Sequence, residues 1–250
     1  MKFLLCAALF CGIAHAAGSE PELLYRQAEY RIGAADANNA MAWSYPVVLP
    51  LQTPAHQRLN AWLREQALEI FQECDIAATL GLRAMPDRKL VEVLNRTPAF
   101  WECGLLQSTI APREAFGRYV SFEVFTEYGG NGVRPLHGVK TLVFDMVGGA
   151  AVDLASLFKP GALEELNYAL AKQMAKDRKR WPDCPGRKFD WSLATLRPPA
   201  DLLLTFPHDP MEWSRCGDGV AVLSGRVVRA QLAQPALLQP SRRWVKQNPS

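Results

Sequence analysis

The sequence predicts an α+β fold in which antiparallel sheets are each packed by a helix and two disulfides tie the chain. Three patterns predict this fold. Residues 119–128 and 139–147 alternate apolar and polar side chains, which is typical of strands in antiparallel sheets. Residues 53–74 carry apolar side chains at helical spacing. An even number of cysteines would remain after removal of an N-terminal leader, which favours disulfides in an exported chain.

The first 16 residues have the parts of a secretory signal peptide. Lys2 supplies the positive charge, residues 3–13 are mostly apolar, and Ala14-His15-Ala16 forms a cleavage site of the A-x-A type. The apolar run is shorter than the roughly 18–20 residues that a membrane-spanning helix needs, and no later segment predicts a membrane span. We therefore expect a periplasmic protein with an N-terminal α+β unit over 17–112 and a second α+β domain over 113–250.

Composition argues for a folded core and against nucleic acid as a partner. Apolar residues make up 49% of the chain, and its formal charge is +3. Loss of Lys2 with the leader lowers this charge by one, to +2. The basic residues between 172 and 188 surround a predicted helix end, where the helix dipole and solvent favour cations. We interpret them as a solvated surface.

The cysteines of the mature chain predict disulfides and not a metal site. They are Cys74, Cys103, Cys184 and Cys216. No pair of ligands has the spacing of a zinc site, so we expect neither a metal nor a cofactor. Three pairings are open, and sequence proximity alone favours Cys74–Cys103 together with Cys184–Cys216.

The first half of the chain is assigned from local patterns. Residues 43–50 are predicted to be extended, and their two prolines favour an edge strand or strand ends. A helix begins at Thr53 and Pro54, because threonine caps helices and proline suits the first helical position. The sequence then predicts a loop over 81–88 and strands over 90–94 and 100–110.

The second half is assigned in the same way. Leu163, Leu166, Leu170 and Met174 form one apolar stripe of a helix predicted over 161–180. The proline-rich residues 182–200 have no clear period and predict a long connection. The last predicted strands are residues 201–206 and 219–228.

A set of residues within 119–158 resembles a known family. The pattern is a strand ending in Tyr-x-Gly-Gly or a variant of it, a loop with a histidine, a strand ending in Phe-Asp, and Asp-Leu-x-x-Leu-Phe before a helix. It is carried here by Tyr128, Gly129, Gly130, His137, Phe144, Asp145, Asp153, Leu154, Leu157 and Phe158. The arrangement resembles the RsiV-like extracytoplasmic domain family, which is shared by the anti-sigma factor RsiV and some peptidoglycan deacetylases. The resemblance covers roughly residues 118–235.

The resemblance implies a non-catalytic domain that recognises peptidoglycan or an enzyme that cleaves it. We therefore expect a periplasmic binding protein of the lysozyme-inhibitor or immunity-protein type. Its expected partner is a peptidoglycan-degrading protein or peptidoglycan itself. Two alternatives stay open, namely a scaffold that binds peptidoglycan directly and a cell-wall glycan hydrolase with unrecognised carboxylates.

Searches for catalytic motifs give no competing assignment. Ser224 lacks the first glycine of a nucleophile elbow and lies in a predicted strand. Residues 129–132 are not followed by the Gly-Lys-Ser/Thr of a phosphate loop. Glu123 and Glu127 share one strand face, and we interpret them as solvated charges and not as a glycosidase pair.

Two segments are predicted to form the partner-binding surface. The first is the glycine-rich crossing, with Tyr128, Gly129, Gly130, Asn131 and His137. His137 is interpreted either as a hydrogen-bond partner that organises a loop or as a ligand contact. The second is the 181–191 segment, where Trp181 and Trp191 are interpreted either as binding anchors or as a lid over the core.

Overall fold

The computed structural model describes residues 22–33, 40–73, 81–97, 103–130, 133–176, 190–197, 201–206, 219–223, 225–234, 239 and 241–247. Across these ranges the chain is a mixed α+β fold with ten strands and four α-helices, which confirms the predicted class. No helix in these ranges has the length and apolar character needed to cross a membrane.

The strands and helices have the following bounds. The strands are β1 (Glu22–Ile32), β2 (Met41–Val48), β3 (Leu105–Phe116), β4 (Tyr119–Gly130), β5 (Val133–Asp145), β6 (Ala150–Ala151), β7 (Ala194–Arg197), β8 (Asp201–Phe206), β9 (Gly219–Leu223) and β10 (Ser241–Lys246). The helices are α1 (Pro54–Glu73), α2 (Asp87–Leu94), α3 (Ala162–Lys176) and α4 (Gly225–Gln231). Short 3-10 helices span Leu82–Ala84, Leu154–Leu157 and Trp191–Leu193.

Seven strands form one curled sheet in the order β10-β1-β2-β3-β4-β5-β6. Its β3-β4-β5 part is the predicted antiparallel meander. The sheet also contains two parallel pairs, β1 with β10 and β2 with β3, so it is not purely antiparallel. β10 pairs with β3 as well, which makes this end of the sheet partly barrel-like. The predicted boundary between residues 112 and 113 falls inside β3, and the sheet takes strands from both sides of it.

Helix α1 covers one face of this sheet. Leu59, Leu63 and Phe71 of α1 are fully buried, as the predicted apolar stripe requires. The indole of Trp43 on β2 packs against Phe71 and donates a hydrogen bond of 3.0 Å to the carbonyl of Ala67. Trp62 of α1 packs against β5, with 5.0 Å between its ring and that of Phe144. Burial of large aromatic side chains therefore fixes α1 on the sheet.

The opposite face of β4 and β5 is covered by a second layer. This layer contains a three-stranded antiparallel sheet, β7-β8-β9, together with α3. The inward stripe of α3 contains Leu166, Leu170 and Met174, as predicted, but Leu163 of the predicted stripe is exposed. Thr141 of β5 lies 3.3 Å from Thr195 of β7, measured between their hydroxyl oxygens. The β4–β5 hairpin is thus packed on both faces in the half that contains the start of β4 and the end of β5.

Three predictions about secondary structure are wrong. Residues 90–94 belong to helix α2, where Leu90 and Leu94, four residues apart, are buried together. The connection predicted over 182–200 contains β7, which pairs with β8. The strand predicted over 219–228 ends at Leu223, and α4 begins at Gly225. In the first and third cases a short apolar run fits both strand and helix, and only tertiary packing selects one. In the second, β7 is only four residues long and its pairing with β8 decides its structure.

The predicted disulfides are only partly within the described ranges. Cys103, just before β3, is disulfide-bonded. Cys74, Cys184 and Cys216 lie outside the described ranges, so both pairings stay predictions.

A partly buried ion pair fastens α2 to the sheet and to α1. Asp87 accepts hydrogen bonds from Arg64 Nε at 2.8 Å, from the hydroxyl of Tyr30 at 2.9 Å, and from the hydroxyl of Tyr45. Burial, reinforced by the hydrogen bond to this carboxylate, raises the pKa of Tyr30 to about 12. The Asp87 side chain is only 12% exposed, and these donors offset the cost of burying a carboxylate.

We expect Asp87→Ala to lower the free energy of unfolding by about 3 kcal/mol, because it leaves a partly buried guanidinium and two tyrosine hydroxyls without their acceptor. Urea unfolding of the purified protein measures the change. Glu65→Ala is the control, since Glu65 and Arg83 form an ion pair of 3.5 Å with both side chains more than half exposed. That variant should lose less than about 1 kcal/mol. Equal losses in the two variants would contradict the proposed role of Asp87.

Candidate partner-binding hairpin and adjacent cavity

The predicted crossing is a continuation of the β4–β5 hairpin and not a long loop. The strands stay paired through Tyr128 opposite Leu136, and Gly130 is opposite Val133 after a register shift. His137 therefore lies within β5, opposite Glu127. The expectation of a histidine in a loop is wrong, because backbone pairing extends further than the apolar pattern of the side chains.

Two glycines allow a close backbone approach near the end of this hairpin. The amide of Gly129 donates a hydrogen bond of 2.8 Å to the carbonyl of Gly104. A Cβ atom at Gly104 would lie 2.9 Å from the carbonyl oxygen of Gly129, and Gly104 has a positive φ of 69°. The absence of a side chain at Gly104, just before β3, therefore permits the close approach of the Gly129 backbone.

His137 is held by ring packing. Its ring stacks on that of Phe125, with 5.5 Å between the centroids and 28° between the planes. Its Nδ1 atom is buried and has no hydrogen-bond partner in the described structure. Nδ1 therefore does not support the interpretation of His137 as a hydrogen-bond partner that organises a loop. It is a buried polar atom without a partner near the hairpin end.

The other predicted surface residues have different positions. Tyr128 is half-buried and packs against the core beneath α1. Trp191 packs on Phe158, with 4.7 Å between their ring centroids, which agrees with a lid over the core beneath α3. Asn131 and Trp181 lie outside the described residues. Of the residues predicted at the crossing, Tyr128, Gly129, Gly130 and His137 thus lie within the described ranges, near the end of the β4–β5 hairpin.

A cavity of about 150 Å³ lies beside this hairpin, between α1 and strands β3 to β5. Its rim carries Glu69, Gln66 and Lys140. Gln66 Nε2 donates a hydrogen bond of 2.6 Å to Glu69 Oε1, and Lys140 Nζ lies 3.7 Å from Glu69 Oε2. The cavity was not predicted, because its lining comes from four separate elements.

Gly138 contributes to this cavity because it has no side chain. It is opposite Thr126, and a Cβ atom at position 138 would lie 2.4 Å from the Thr126 hydroxyl oxygen. The nearby residues Ser108 and Val124 line the cavity from β3 and β4. The glycine that follows the histidine in the sequence is the one local signal from which a gap in side-chain packing could have been predicted here.

An ion pair at the base of the hairpin maintains its register. Asp145, part of the Phe-Asp motif, accepts hydrogen bonds from Arg118 and from the amides of Val147 at 2.9 Å and Gly148 at 3.0 Å. Burial disfavours the ionised Asp145, but the hydrogen bonds from Arg118, Gly148 and Val147 outweigh it and hold its pKa below the usual value. The motif residue thus stabilises the turn after β5 and lies at the far end of β5 from His137.

Two carboxyl groups of β3 and β4, Glu114 and Glu123, have different environments. Glu123 forms an ion pair with Arg113, and its side chain is 12% exposed. Glu114 is half-buried, and burial raises its pKa although Arg197 and Arg113 oppose the shift. The sequence contains no local signal for Glu114, because its environment depends on the packing of β3 against β7. Among the described residues, no group of three His, Cys, Asp or Glu side chains is arranged to hold a metal ion.

Comparisons with known proteins support the fold. No family model and no curated protein matches this sequence. The crystal structure of a DUF3298-family member from Bacteroides fragilis matches with a TM-score of 0.52 at 10% identity, covering 87% of this chain and 97% of its own. A DUF3298-family protein from Pseudomonas aeruginosa has a TM-score of 0.48 at 14% identity, covering 88% and 97%. The first match shows that this chain shares its fold with a DUF3298-family protein.

We expect Glu114→Gln to raise the melting temperature slightly at pH 7 and to have little effect near pH 4. A carboxyl whose folded-state pKa is raised stabilises the fold below its unfolded pKa, and this contribution is lost as pH rises through the folded pKa. Glutamine carries no charge, so Glu114→Gln removes this loss of stability at pH 7. Melting curves between pH 4 and pH 8 measure it. Glu123→Gln is the comparison variant and should lower the melting temperature at pH 7, because Arg113 loses its partner. A destabilised Glu114→Gln protein at pH 7 would contradict the assignment.

Proposed function

We propose that this chain is a non-catalytic periplasmic binding protein that recognises a peptidoglycan-cleaving enzyme, as a lysozyme inhibitor or an immunity protein does. The observation that carries the proposal is the β4–β5 hairpin, whose far end presents Tyr128, Gly129, Gly130 and His137 on paired strands. Strands packed into the core hold a recognition surface more rigidly than a long loop, which lowers the entropy cost of binding. The fold shared with a DUF3298-family protein is consistent with an RsiV-like domain.

The charges near the hairpin support a binding role. Glu123 and Asp145 are both engaged by arginines, so neither is placed as an unpaired acid or base. The net charge is close to neutral for a chain of this length, which provides little long-range steering of a charged partner. Affinity would therefore depend on shape and on short-range contacts at the hairpin end.

The test uses the purified mature protein, a lysozyme and purified sacculi. We expect the protein to bind the enzyme in calorimetry and to slow its release of muropeptides. His137→Ala should weaken binding by at least about tenfold, since it removes the aromatic ring that stacks on Phe125 near the hairpin end. His56→Ala is the control, because His56 lies far from the hairpin end. It is in the first turn of α1, about 20 Å along the helix from Glu69, at a rise of about 1.5 Å per residue, and Glu69 is the α1 residue that contacts Lys140 of β5.

Three results would reject this proposal in different ways. Release of muropeptides by the protein alone would indicate a glycan hydrolase. Retention on sacculi without enzyme binding would indicate a peptidoglycan-binding scaffold. Equal enzyme affinity in the wild type and in His137→Ala would exclude this end of the hairpin as the binding surface.

We also propose that two disulfides, Cys74–Cys103 and Cys184–Cys216, stabilise the exported chain. Each would close a loop of about 30 residues and contribute on the order of 3–4 kcal/mol in the chain-entropy model. Peptide mapping without reduction should recover these two linked peptides. Recovery of Cys103 linked to Cys184 or Cys216 would replace this pairing with another.

A further inference from the structure

We propose that the cavity between α1 and the β4–β5 hairpin binds the acetamido group of an N-acetylated sugar. The cavity volume of about 150 Å³ sets the size of the ligand group. An engineered protein cavity of similar volume accommodates benzene, which has six heavy atoms. An acetamido group of four heavy atoms fits such a space, whereas a whole sugar ring with its substituents does not.

The exposure of the lining residues distinguishes the floor of the cavity from its rim. Ser108 is 2% exposed and Ile70 is 6% exposed, so their side chains belong to the floor together with the half-buried Val124. Lys140 and Glu69 have side chains that are 56% and 45% exposed, so they belong to the rim. The floor therefore offers apolar surface with one hydroxyl, and the rim offers a strong donor and a strong acceptor.

The charges at the rim favour a neutral ligand that both donates and accepts hydrogen bonds. Lys140 and Glu69 contribute one positive and one negative charge. A carboxylate ligand would be repelled by Glu69, and an ammonium ligand by Lys140. An amide avoids both costs, because its carbonyl can accept from Lys140 or Ser108 while its N–H donates to Glu69. The ion pair between Lys140 and Glu69 is long, at 3.7 Å, and both side chains are about half exposed. Breaking it to bind a ligand therefore costs little free energy.

The floor distinguishes an acetamido group from the primary amide of an Asn or Gln side chain. An acetamido group enters with its methyl and carbonyl foremost, which matches Ile70, Val124 and the Ser108 hydroxyl. A primary amide would enter with its carbonyl oxygen and its NH₂ group together foremost, and the two N–H donors would face a floor with apolar surface and one hydroxyl. Leaving such donors unpaired in a buried site is costly. The sugar ring would remain at the rim, where Gln66 and Glu69 offer polar atoms to its hydroxyls.

Gly138 keeps this cavity open. Any larger residue would place its Cβ atom against the Thr126 hydroxyl, which makes a long hydrogen bond of 3.5 Å to the Gly138 carbonyl. This inference concerns a small ligand, and it holds or fails whether or not the protein partner proposed above is correct.

The experiment titrates the ¹⁵N-labelled full mature protein with N-acetylglucosamine, glucose and propionamide, followed by NMR. We expect N-acetylglucosamine to shift the amide signals of Ser108, Thr126 and Gly138 saturably, with a dissociation constant of order 1 mM. Glucose, which differs in lacking the acetamido group, should leave them unchanged. Lys140→Met should weaken binding about tenfold, because it removes a charged donor.

Lys246→Met is the matched control for this titration. Lys246 forms an ion pair of 3.4 Å with Glu29, and its side chain is 50% exposed, so the variant loses a similar pair elsewhere on the sheet. It should bind N-acetylglucosamine as the wild type does. The inference is overturned if glucose shifts the same signals equally, if propionamide binds more tightly than N-acetylglucosamine, or if Lys140→Met binds with unchanged affinity. Melting curves of both variants verify that each remains folded.

Discussion

The pairing of β4 with β5 is the interaction on which both layers of this protein depend. Even-numbered side chains such as Phe122 and Phe144 face α1, whereas Tyr119 and Val143 face the layer of α3 and β7–β9. A slip of one residue in this pairing would exchange the two faces of a strand and expose both sets of aromatic and aliphatic side chains. The ion pair of Arg118 with Asp145 and the turn that it stabilises therefore protect the register that both hydrophobic clusters require.

The candidate functional features arise where this packing becomes less complete. Near Ile70, the sheet beneath α1 presents Gly138 and Thr126 in place of large side chains, and a cavity remains. On the other face, Phe125 and His137 stack on each other beyond Thr141, which is the β5 residue that meets β7. The same hairpin is consequently a rigid core element at one end and a candidate recognition element at the other.

The partly buried charges in this molecule mainly connect elements that are distant in sequence. Asp87 joins α2 to α1 and to two strands, and Asp145 joins the end of β5 to Arg118 before β4. Both carboxylates have arginine partners and additional donors, which offset the cost of taking a charge out of water. The rim pair of Lys140 with Glu69 differs, because it is long and about half exposed. Weak pairing at a cavity rim leaves those groups available to a ligand.

The sequence by itself determined the elements with long and regular patterns, namely α1, α3 and the strands β4 and β5, because local periodicity reports which face of an element is buried. It did not determine α2 or α4, whose apolar runs are too short to separate strand from helix, or β7, which has only four residues and depends on its pairing with β8. Only the tertiary structure decided the parallel pairing of β10 with β1, the position of His137 within a strand, and the cavity. These features depend on contacts between residues far apart in the chain, and a local pattern contains no information about such contacts.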